Sequence, residues 1–195
     1  MKKNVVIYIP GLGDDKPRGQ KLALNLFKIF RIKPYYFAIS WAENTTFESR
    51  FNELLSLVDE LNSDKKTVNI LAASAGASAA LNVFAKRSKE ISSVNLICGK
   101  VNNLDKIGKE YYIKNPNFKD SVEMLPASLA KLNLEDRAKI MSIRPIRDSV
   151  VPPKDTIIEG AKNLQSYTFG HSTIIAHYLT IGLPRIIWWI KKNDI

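Results

Sequence analysis

The sequence predicts an α/β fold with three layers, in which a mostly parallel sheet of about six strands carries helices on both faces. Apolar runs alternate with helix-type segments along the chain, and polar residues follow several of these runs. Such runs are typical of strands buried on both faces, and their alternation with helices is typical of parallel sheets. A chain of 195 residues with 45% hydrophobic content suits one compact domain, spanning 1–195.

The predicted strands are short apolar runs. They cover residues 4–9, 35–40, 67–72, 93–98, 139–144 and 164–169. The first run follows two lysines, as in a signal peptide, but it reaches Pro10 too early and no small-residue cleavage site follows. We therefore interpret it as a strand. No segment reaches the ~18 apolar residues that a membrane-spanning helix needs.

The predicted helices fill the intervals between the strands. The first starts near Pro17 and places Leu22, Leu26, Ile29 and Phe30 on one face. The second follows a Thr45–Glu48 capping box. Further helices are predicted at 75–88, at 104–112, from near Pro126 and at 155–163, and a last one at about 172–191 breaks near Gly182 and Pro184.

Charge and cysteine content limit the partners and the compartment. The net charge is +10, but the basic residues are scattered and no aromatic residues interleave with them as a stacking platform. We therefore expect a solvated basic surface and no nucleic-acid partner. Cys98 is the single cysteine and has no partner for an internal disulfide, which favours a cytoplasmic protein.

Ser74 lies in the most informative stretch, Ile70-Leu71-Ala72-Ala73-Ser74-Ala75-Gly76. An apolar run ends there in a small-x-Ser-x-small pattern, and a helical segment follows at once. A serine on a sharp strand-to-helix turn needs small neighbours, because the turn brings the two backbones close together. The pattern alone is also that of an ordinary helix start, so the later segments decide its meaning.

Asp148 and His171 supply the groups that a nucleophilic serine requires. Each follows a predicted strand, as Ser74 does, and reactive groups gather at the carboxyl ends of parallel strands. A serine hydroxyl needs an imidazole to remove its proton, and the imidazole needs a carboxylate to orient it. The other histidine, His177, lies inside the last helix, where a packed or surface role is expected.

The sequence resembles the α/β-hydrolase fold superfamily, whose catalytic residues follow one another in the chain order Ser, Asp, His. The resemblance suggests a small esterase-like serine hydrolase. The segment around Ser74 is similar to the family's nucleophile elbow. The stretch that begins at Asp148, Asp148-Ser149-Val150-Val151-Pro152, is similar to the segment after the catalytic acid, and Gly170-His171 is similar to the loop of the catalytic histidine. Pro145 stands where members often have glycine. The resemblance covers nearly all of 4–191 and implies a minimal core without the family's first antiparallel hairpin.

The resemblance also implies an oxyanion hole. Pro10-Gly11-Leu12-Gly13 is similar to the family's His-Gly-x-Gly loop, with Pro10 in place of histidine. It implies that the Leu12 amide joins the Ala75 amide, which follows the nucleophile, as the two donors. A plain tight turn is the alternative for Gly11 and Gly13.

A short cap-like insertion is expected at about 100–127. Its Tyr111 and Tyr112, together with Trp41 and Gly11, are the candidate residues of a substrate pocket. Tyr111, Tyr112 and Phe118 have an equally good alternative role in covering the edge of the sheet. The C-terminal Ile186-Ile187-Trp188-Trp189-Ile190 stretch is expected to pack on the sheet, a membrane or partner contact being the alternative.

The expected activity is hydrolysis of a small-molecule carboxylic ester or thioester, with no metal or organic cofactor required. Ser74 would be acylated and His171 would shuttle protons. Two alternatives remain open: a catalytically silent binding protein with the same fold, and a basic protein that binds nucleic acid or a membrane surface. The sequence indicates neither the natural substrate nor the oligomeric state.

Overall fold

A six-stranded sheet in which every pairing is parallel forms the centre of the protein, whose computed structural model describes residues 3–43 and 46–194. The strand order is β2-β1-β3-β4-β5-β6. The strands are β1 (Lys3–Ile9), β2 (Lys33–Tyr36), β3 (Lys66–Ala73), β4 (Ile91–Ile97), β5 (Ile140–Arg144) and β6 (Lys162–Gln165). The predicted parallel α/β architecture is confirmed.

The helices lie between the strands along the chain. They are α1 (Arg18–Leu24), α2 (Phe47–Ser63), α3 (Gly76–Lys86), α4 (Lys109–Lys114), α5 (Pro116–Lys131), α6 (Leu134–Ala138), α7 (His171–Leu179) and α8 (Leu183–Lys192). Short 3-10 segments occupy Asn25–Phe30, Leu104–Lys106 and Pro153–Thr156. Among the described residues no single helix is long and apolar enough to span a membrane, although α7 and α8 pass that test as a pair bent by 63°.

Alternate residues of the strands feed two separate cores, one on each face of the sheet. In β1, Val5, Ile7 and Ile9 face one core, whereas Val6 and Tyr8 face the other. The first core is closed by α2, α3 and α5, and the second by α1, α7 and α8. This arrangement gives the three layers and leaves the carboxyl ends of the strands free for a site.

Several predicted boundaries are wrong. A helix was expected at 155–163, but the chain forms a 3-10 turn at Pro153–Thr156 and then an irregular loop. The loop passes through Gly160, whose φ of +79° lies outside the helical region. The helix expected from near Pro126 begins ten residues earlier, at Pro116, and keeps Pro126 on its exposed side.

The face predicted for the first helix is only half right, because Leu26 and Phe30 pack half-buried against the second core but Leu22 and Ile29 do not. Leu22 and Ile29 are each 73% exposed, whereas Leu24 and Phe27 are buried. The chain changes from α-helix to 3-10 helix after Leu24, and this change of winding rotates the buried face away from a regular 3.6-residue stripe.

In the second helix, Thr46 is the N-cap and its hydroxyl accepts from the Ser49 amide at 3.3 Å. The predicted cap residue Thr45 lies outside the described residues.

The insertion at 100–127 contributes mainly to the helical layer. Within α5, Phe118, Val122 and Leu125 are buried in the first core. The Ser121 hydroxyl lies 2.7 Å from that of Ser78 on α3, which fixes the two helices together. The segment from Lys100 through α4, together with Phe118 at the start of α5, contributes side chains to the cavity beside Ser74 at the carboxyl edge of the sheet.

Candidate active site

Ser74, Asp148 and His171 meet at the carboxyl ends of β3, β5 and β6. The Ser74 Oγ lies 2.7 Å from His171 Nε2, and His171 Nδ1 lies 2.7 Å from Asp148 Oδ2. The three side chains therefore form a continuous hydrogen-bonded chain, with the imidazole in the middle. This geometry is the one that proton removal from a serine hydroxyl needs.

Ser74 sits on a strained turn between β3 and α3. Its φ is +51°, in the left-handed region that a residue with a side chain rarely adopts. Its amide donates to the Ile97 carbonyl at 2.9 Å, which holds the turn against β4. A Cβ on Gly76 would come within 2.4 Å of the Ile9 carbonyl oxygen, and one on Gly11 within 2.9 Å of the Ser74 Cβ. Small residues are therefore needed here because two backbones pass close to the turn.

Asp148 is held with its carboxylate fully buried. Its Oδ1 accepts from the amides of Val150 at 2.8 Å and Val151 at 3.0 Å, which leaves Oδ2 for the imidazole. Both carboxylate oxygens are therefore engaged, which fixes the orientation of the side chain. Pro145, which stands where family members often have glycine, does not displace Asp148, because the loop beyond Pro145 still reaches His171.

His171 begins α7 instead of lying in a loop before the last helix, and β6 ends at Gln165, earlier than expected. The loops that follow β5 and β6 remain tied together beyond the strands. The Ile146 amide donates to the Thr168 carbonyl at 2.9 Å, and the Gly170 amide to the Arg147 carbonyl at 2.8 Å. Gly170 has a φ of +89°, which turns the chain into the helix. Asp148 and His171 are thereby carried on paired segments.

The Cys98 thiol lies beneath the imidazole and is fully buried. Its Sγ is 3.9 Å from both His171 Nε2 and the His171 carbonyl oxygen. Burial, aided by the charge of Asp148, raises the pKa of this thiol, so it stays protonated. Cys98, Asp148 and His171 bring possible metal ligands within 4.8 Å of one another. A protonated thiol is a poor ligand, however, and both imidazole nitrogens already have hydrogen-bond partners.

The Leu12 and Ala75 amides have no hydrogen-bond partner among the residues that the structure describes. Both residues line the same cavity as Ser74. The loop that carries Leu12 is anchored from β2 and its following segment. Asp14 Oδ2 accepts from the Ser40 amide at 2.7 Å, and the Tyr36 hydroxyl donates to the Asp14 carbonyl at 3.0 Å. Burial raises the pKa of Asp14.

Two cavities meet at Ser74. The first, of about 360 Å³, lies on the side of the insertion and includes Ala75, Ile107, Phe118, Val151 and Lys154. The second, of about 690 Å³, runs between α1 and α7 and includes Gly19, Ala23, His171, Ile175 and Leu179. We call them the insertion cavity and the helix groove. Both volumes fall in the range of small-molecule sites.

The predicted pocket residues divide between the walls and the interior. Tyr111 lines both cavities, and Gly11 lines the helix groove. Trp41 is fully buried and donates from its indole nitrogen to the Pro10 carbonyl at 3.3 Å, so it supports the Leu12 loop from behind. Tyr112 packs against Phe118, and its hydroxyl donates to the Leu104 carbonyl at 3.5 Å. Trp41 and Tyr112 therefore line neither cavity.

Sequence reasoning missed three lysines in the insertion cavity: Lys100, Lys106 and Lys154. They come from three separate segments, and the sequence treats them as part of a scattered basic surface. Asp155, which pairs with Lys100 at 2.5 Å, was missed as well. Its position beside the conspicuous Asp148-to-Pro152 segment was the one available signal.

Comparison with known proteins gives matches in structure only. No protein-family model and no curated protein matches the sequence. One of the metagenome-derived lipolytic enzymes LipS and LipT is similar with a TM-score of 0.73 at 12% identity, over 98% of this chain and 94% of that one.

Two further structures are similar over nearly the whole chain. Est1E from Butyrivibrio proteoclasticus has a TM-score of 0.70 at 13% identity, over 98% of this chain and 88% of its own. A Paleococcus ferrophilus monoacylglycerol lipase has a TM-score of 0.66 at 13% identity, over 97% of this chain and 95% of its own. The strand order, the turn at Ser74 and these similarities together show that the chain has the α/β-hydrolase fold.

Proposed function

We propose that the protein is a serine hydrolase that cleaves a carboxylic ester or thioester through an acyl-enzyme intermediate on Ser74. The observation that carries the proposal is the hydrogen-bonded chain from Ser74 through His171 to the buried Asp148. It opens directly onto two cavities of substrate size. The esterases and lipases that share the fold are consistent with this chemistry.

In the first half-reaction, Ser74 Oγ attacks the carbonyl carbon of the substrate while His171 Nε2 accepts the hydroxyl proton. The Asp148 carboxylate holds the Nδ1 proton and stabilises the imidazolium that forms. Negative charge develops on the carbonyl oxygen, where the Leu12 and Ala75 amides serve as donors. The imidazolium then protonates the leaving oxygen or sulfur, and the acyl group stays on Ser74.

In the second half-reaction, water replaces the leaving group. His171 Nε2 removes a proton from the water as its oxygen attacks the acyl carbon. The tetrahedral intermediate collapses, the bond to Ser74 Oγ breaks, and the imidazolium returns the proton to the serine. The products are a carboxylic acid and an alcohol or thiol, and the protein ends in its starting state.

A fluorophosphonate probe and short-chain p-nitrophenyl esters test the proposal. Wild type should be labelled once and should hydrolyse at least one ester. Ser74→Ala should abolish labelling and, with His171→Ala, lower the turnover by about a thousandfold or more. Ser56→Ala, on the exposed side of α2, and His177→Gln, at the only other histidine, are matched controls that should keep both properties.

Absence of labelling, together with turnover no faster than that of Ser74→Ala, would overturn the proposal. The catalytically silent binding protein would then take its place. Salt-sensitive DNA binding that survives Ser74→Ala would instead favour the basic binding protein. The expectation of a cytoplasmic location continues to rest on the single cysteine.

A further inference from the structure

The insertion cavity has an uneven charge. Three lysines line it, and Asp155 is the only acidic residue among its described lining residues. The Asp155 carboxylate is already engaged, by Lys100 Nζ at 2.5 Å and by the Asn103 side-chain amide at 2.6 Å. Lys100 is therefore neutralised.

Lys106 and Lys154 add two further positive charges to the wall, and Lys154 also lies close enough to Asp155 to lower the pKa of that carboxyl. Neither forms an ion pair with any residue that the structure describes. The Glu110 carboxylate lies beside Gly108 without lining the cavity. The two lysines come from separate segments, Lys106 from the turn before α4 and Lys154 from the turn after Pro152, and both line the cavity. An anion in the cavity would be attracted by both.

The wall between Ser74 and these lysines is largely apolar, with Ile107, Tyr111, Phe118, Val150 and Val151 as its main side chains. A volume of about 360 Å³ holds on the order of a dozen non-hydrogen atoms, at ~30 Å³ for each. The cavity thus fits a short chain that is apolar in the middle and negatively charged at its far end.

Two observations assign the insertion cavity to the acyl group. Ala75, whose amide serves the carbonyl oxygen, lines only this cavity, whereas His171 lines only the helix groove. Because His171 Nε2 must protonate the leaving atom, the leaving group lies on the side of the groove. The groove wall is mostly apolar, with Ala23, Ile175, Ala176 and Leu179, and it also holds the polar side chains of Gln20, Ser172 and Thr180. No lysine is among its described lining residues, so the groove suits an uncharged, mostly apolar alcohol.

Resting on the function proposed above, we propose that the preferred substrate is a half-ester of a short dicarboxylic acid. Its free carboxylate binds between Lys106 and Lys154, and its apolar alcohol occupies the helix groove. Hydrolysis adds the hydroxyl of water to the acyl carbon and a proton to the leaving oxygen. The products are a dicarboxylate and an alcohol.

A pair of esters that differ only in the distal charge tests the proposal. The first is the mono-p-nitrophenyl ester of adipic acid, and the second carries a terminal carboxamide in place of the free carboxylate. We expect kcat/KM to be about tenfold higher for the anionic ester at low salt. Raising the salt from about 0.05 to 0.5 M should reduce this preference, because the lysines are exposed to solvent.

The Lys106→Met/Lys154→Met double variant should bring the ratio of the two kcat/KM values close to one. Lys106→Glu/Lys154→Glu should invert it. Lys131→Glu, on the exposed end of α5 and outside both cavities, alters the net charge but should keep the wild-type ratio. An equal change of the ratio in Lys131→Glu would show a general charge effect and overturn the proposal.

The outcomes separate this proposal from the one on which it rests. Hydrolysis of the neutral ester at least as fast as the anionic one, with both dependent on Ser74, would overturn the dicarboxylate assignment and leave the hydrolase intact. If neither ester is hydrolysed and the fluorophosphonate does not react either, both the dicarboxylate assignment and the hydrolase proposal are overturned.

Discussion

At the scale of single residues, two of the left-handed non-glycine conformations of the described chain lie at the site. Ser74 and Cys98 have φ values of +51° and +46°, and both follow directly on the ends of neighbouring strands. A non-glycine residue in this region is strained by about 1–2 kcal/mol. The strain projects the Ser74 hydroxyl toward His171, so the molecule gives up some stability to present its nucleophile.

Replacing Ser74 by glycine should therefore stabilise the fold relative to replacing it by alanine. Both variants lose the hydrogen bond to His171, so their difference isolates the backbone conformation. We expect Ser74→Gly to exceed Ser74→Ala by about 1 kcal/mol in the free energy of unfolding, measured by urea denaturation. At Ser56, inside α2, the order should reverse, with glycine less stable than alanine by about 1 kcal/mol. The same order at both positions would contradict the role of strain.

At the scale of elements, Asp155 ties the segment after β4 to the turn after β5. Its backbone carbonyl accepts from the amides of Val101 at 2.8 Å and Asn102 at 3.0 Å. Its buried carboxylate binds Lys100 and Asn103. Burial raises the pKa of Asp155, but the hydrogen bonds from Lys100 and Asn103 and the lysine charges outweigh it. The net result is a pKa below the ordinary value.

The Asp155→Asn variant should lose about 2 kcal/mol of stability at pH 7, since it leaves a mostly buried lysine without its counter-charge. The carboxylate stabilises the fold above its unfolded-state pKa, and this contribution disappears as pH falls through the lower folded-state pKa. The gap between wild type and variant in urea denaturation should therefore close below about pH 4. Asp120→Asn, on the exposed face of α5, should change stability by less than about 0.5 kcal/mol. A gap that stays constant from pH 7 to pH 3 would refute the ion-pair account.

The accuracy of the sequence-based prediction also varies between elements, for physical reasons. β1 and β3 are buried on both faces, so their apolar runs mark them within one residue. β6 is half exposed at the edge of the sheet, and its sequence, Lys-Asn-Leu-Gln, has no such run. The residues around 155–163 have helical spacing, but their side chains serve loop contacts. The Asn163 side chain, for example, donates to the Ile158 carbonyl at 2.8 Å and accepts from its amide at 3.0 Å.

At the scale of the whole molecule, the two ends of the sheet have different tasks. Opposite the site, a polar network joins the C-terminal segment to the strands. Asn69 donates to Asn4 Oδ1 at 3.0 Å and accepts from the Ser93 hydroxyl at 2.7 Å. Asp194 accepts from Asn4 at 2.7 Å and from Thr67 at 3.1 Å. This end fixes the fold while the carboxyl end carries the chemistry.

Asn69→Ala should accordingly affect stability and leave catalysis intact. Asn69 is fully buried, and the variant leaves its buried hydrogen-bond partners without a partner. We therefore expect the free energy of unfolding, measured by urea denaturation, to fall by about 2–3 kcal/mol. The rate of fluorophosphonate labelling at 20 °C should stay within about twofold of wild type, because the variant remains mostly folded. A labelling defect larger than the unfolded fraction explains would show that the two ends are coupled.

The candidate triad could be found from the sequence because the fold converts chain order into position. Ser74, Asp148 and His171 each follow a strand, and parallel strands place such residues along one edge. The cavity walls could not be found in this way. Lys106 and Lys154 line one cavity only through the path of irregular segments, and the burial of Trp41 depends on how Phe118 of the insertion packs against it.

The meeting of the two cavities at Ser74 has a kinetic consequence for the proposed mechanism. The alcohol leaves through the helix groove without passing the acyl chain, so the two products have separate exits. Departure of the alcohol clears the space beside His171 Nε2 while the acyl group is still bound. The hydrolytic water then enters by the route that the first product has vacated, and the acid leaves last because its acyl group stays bonded to Ser74 until that water attacks.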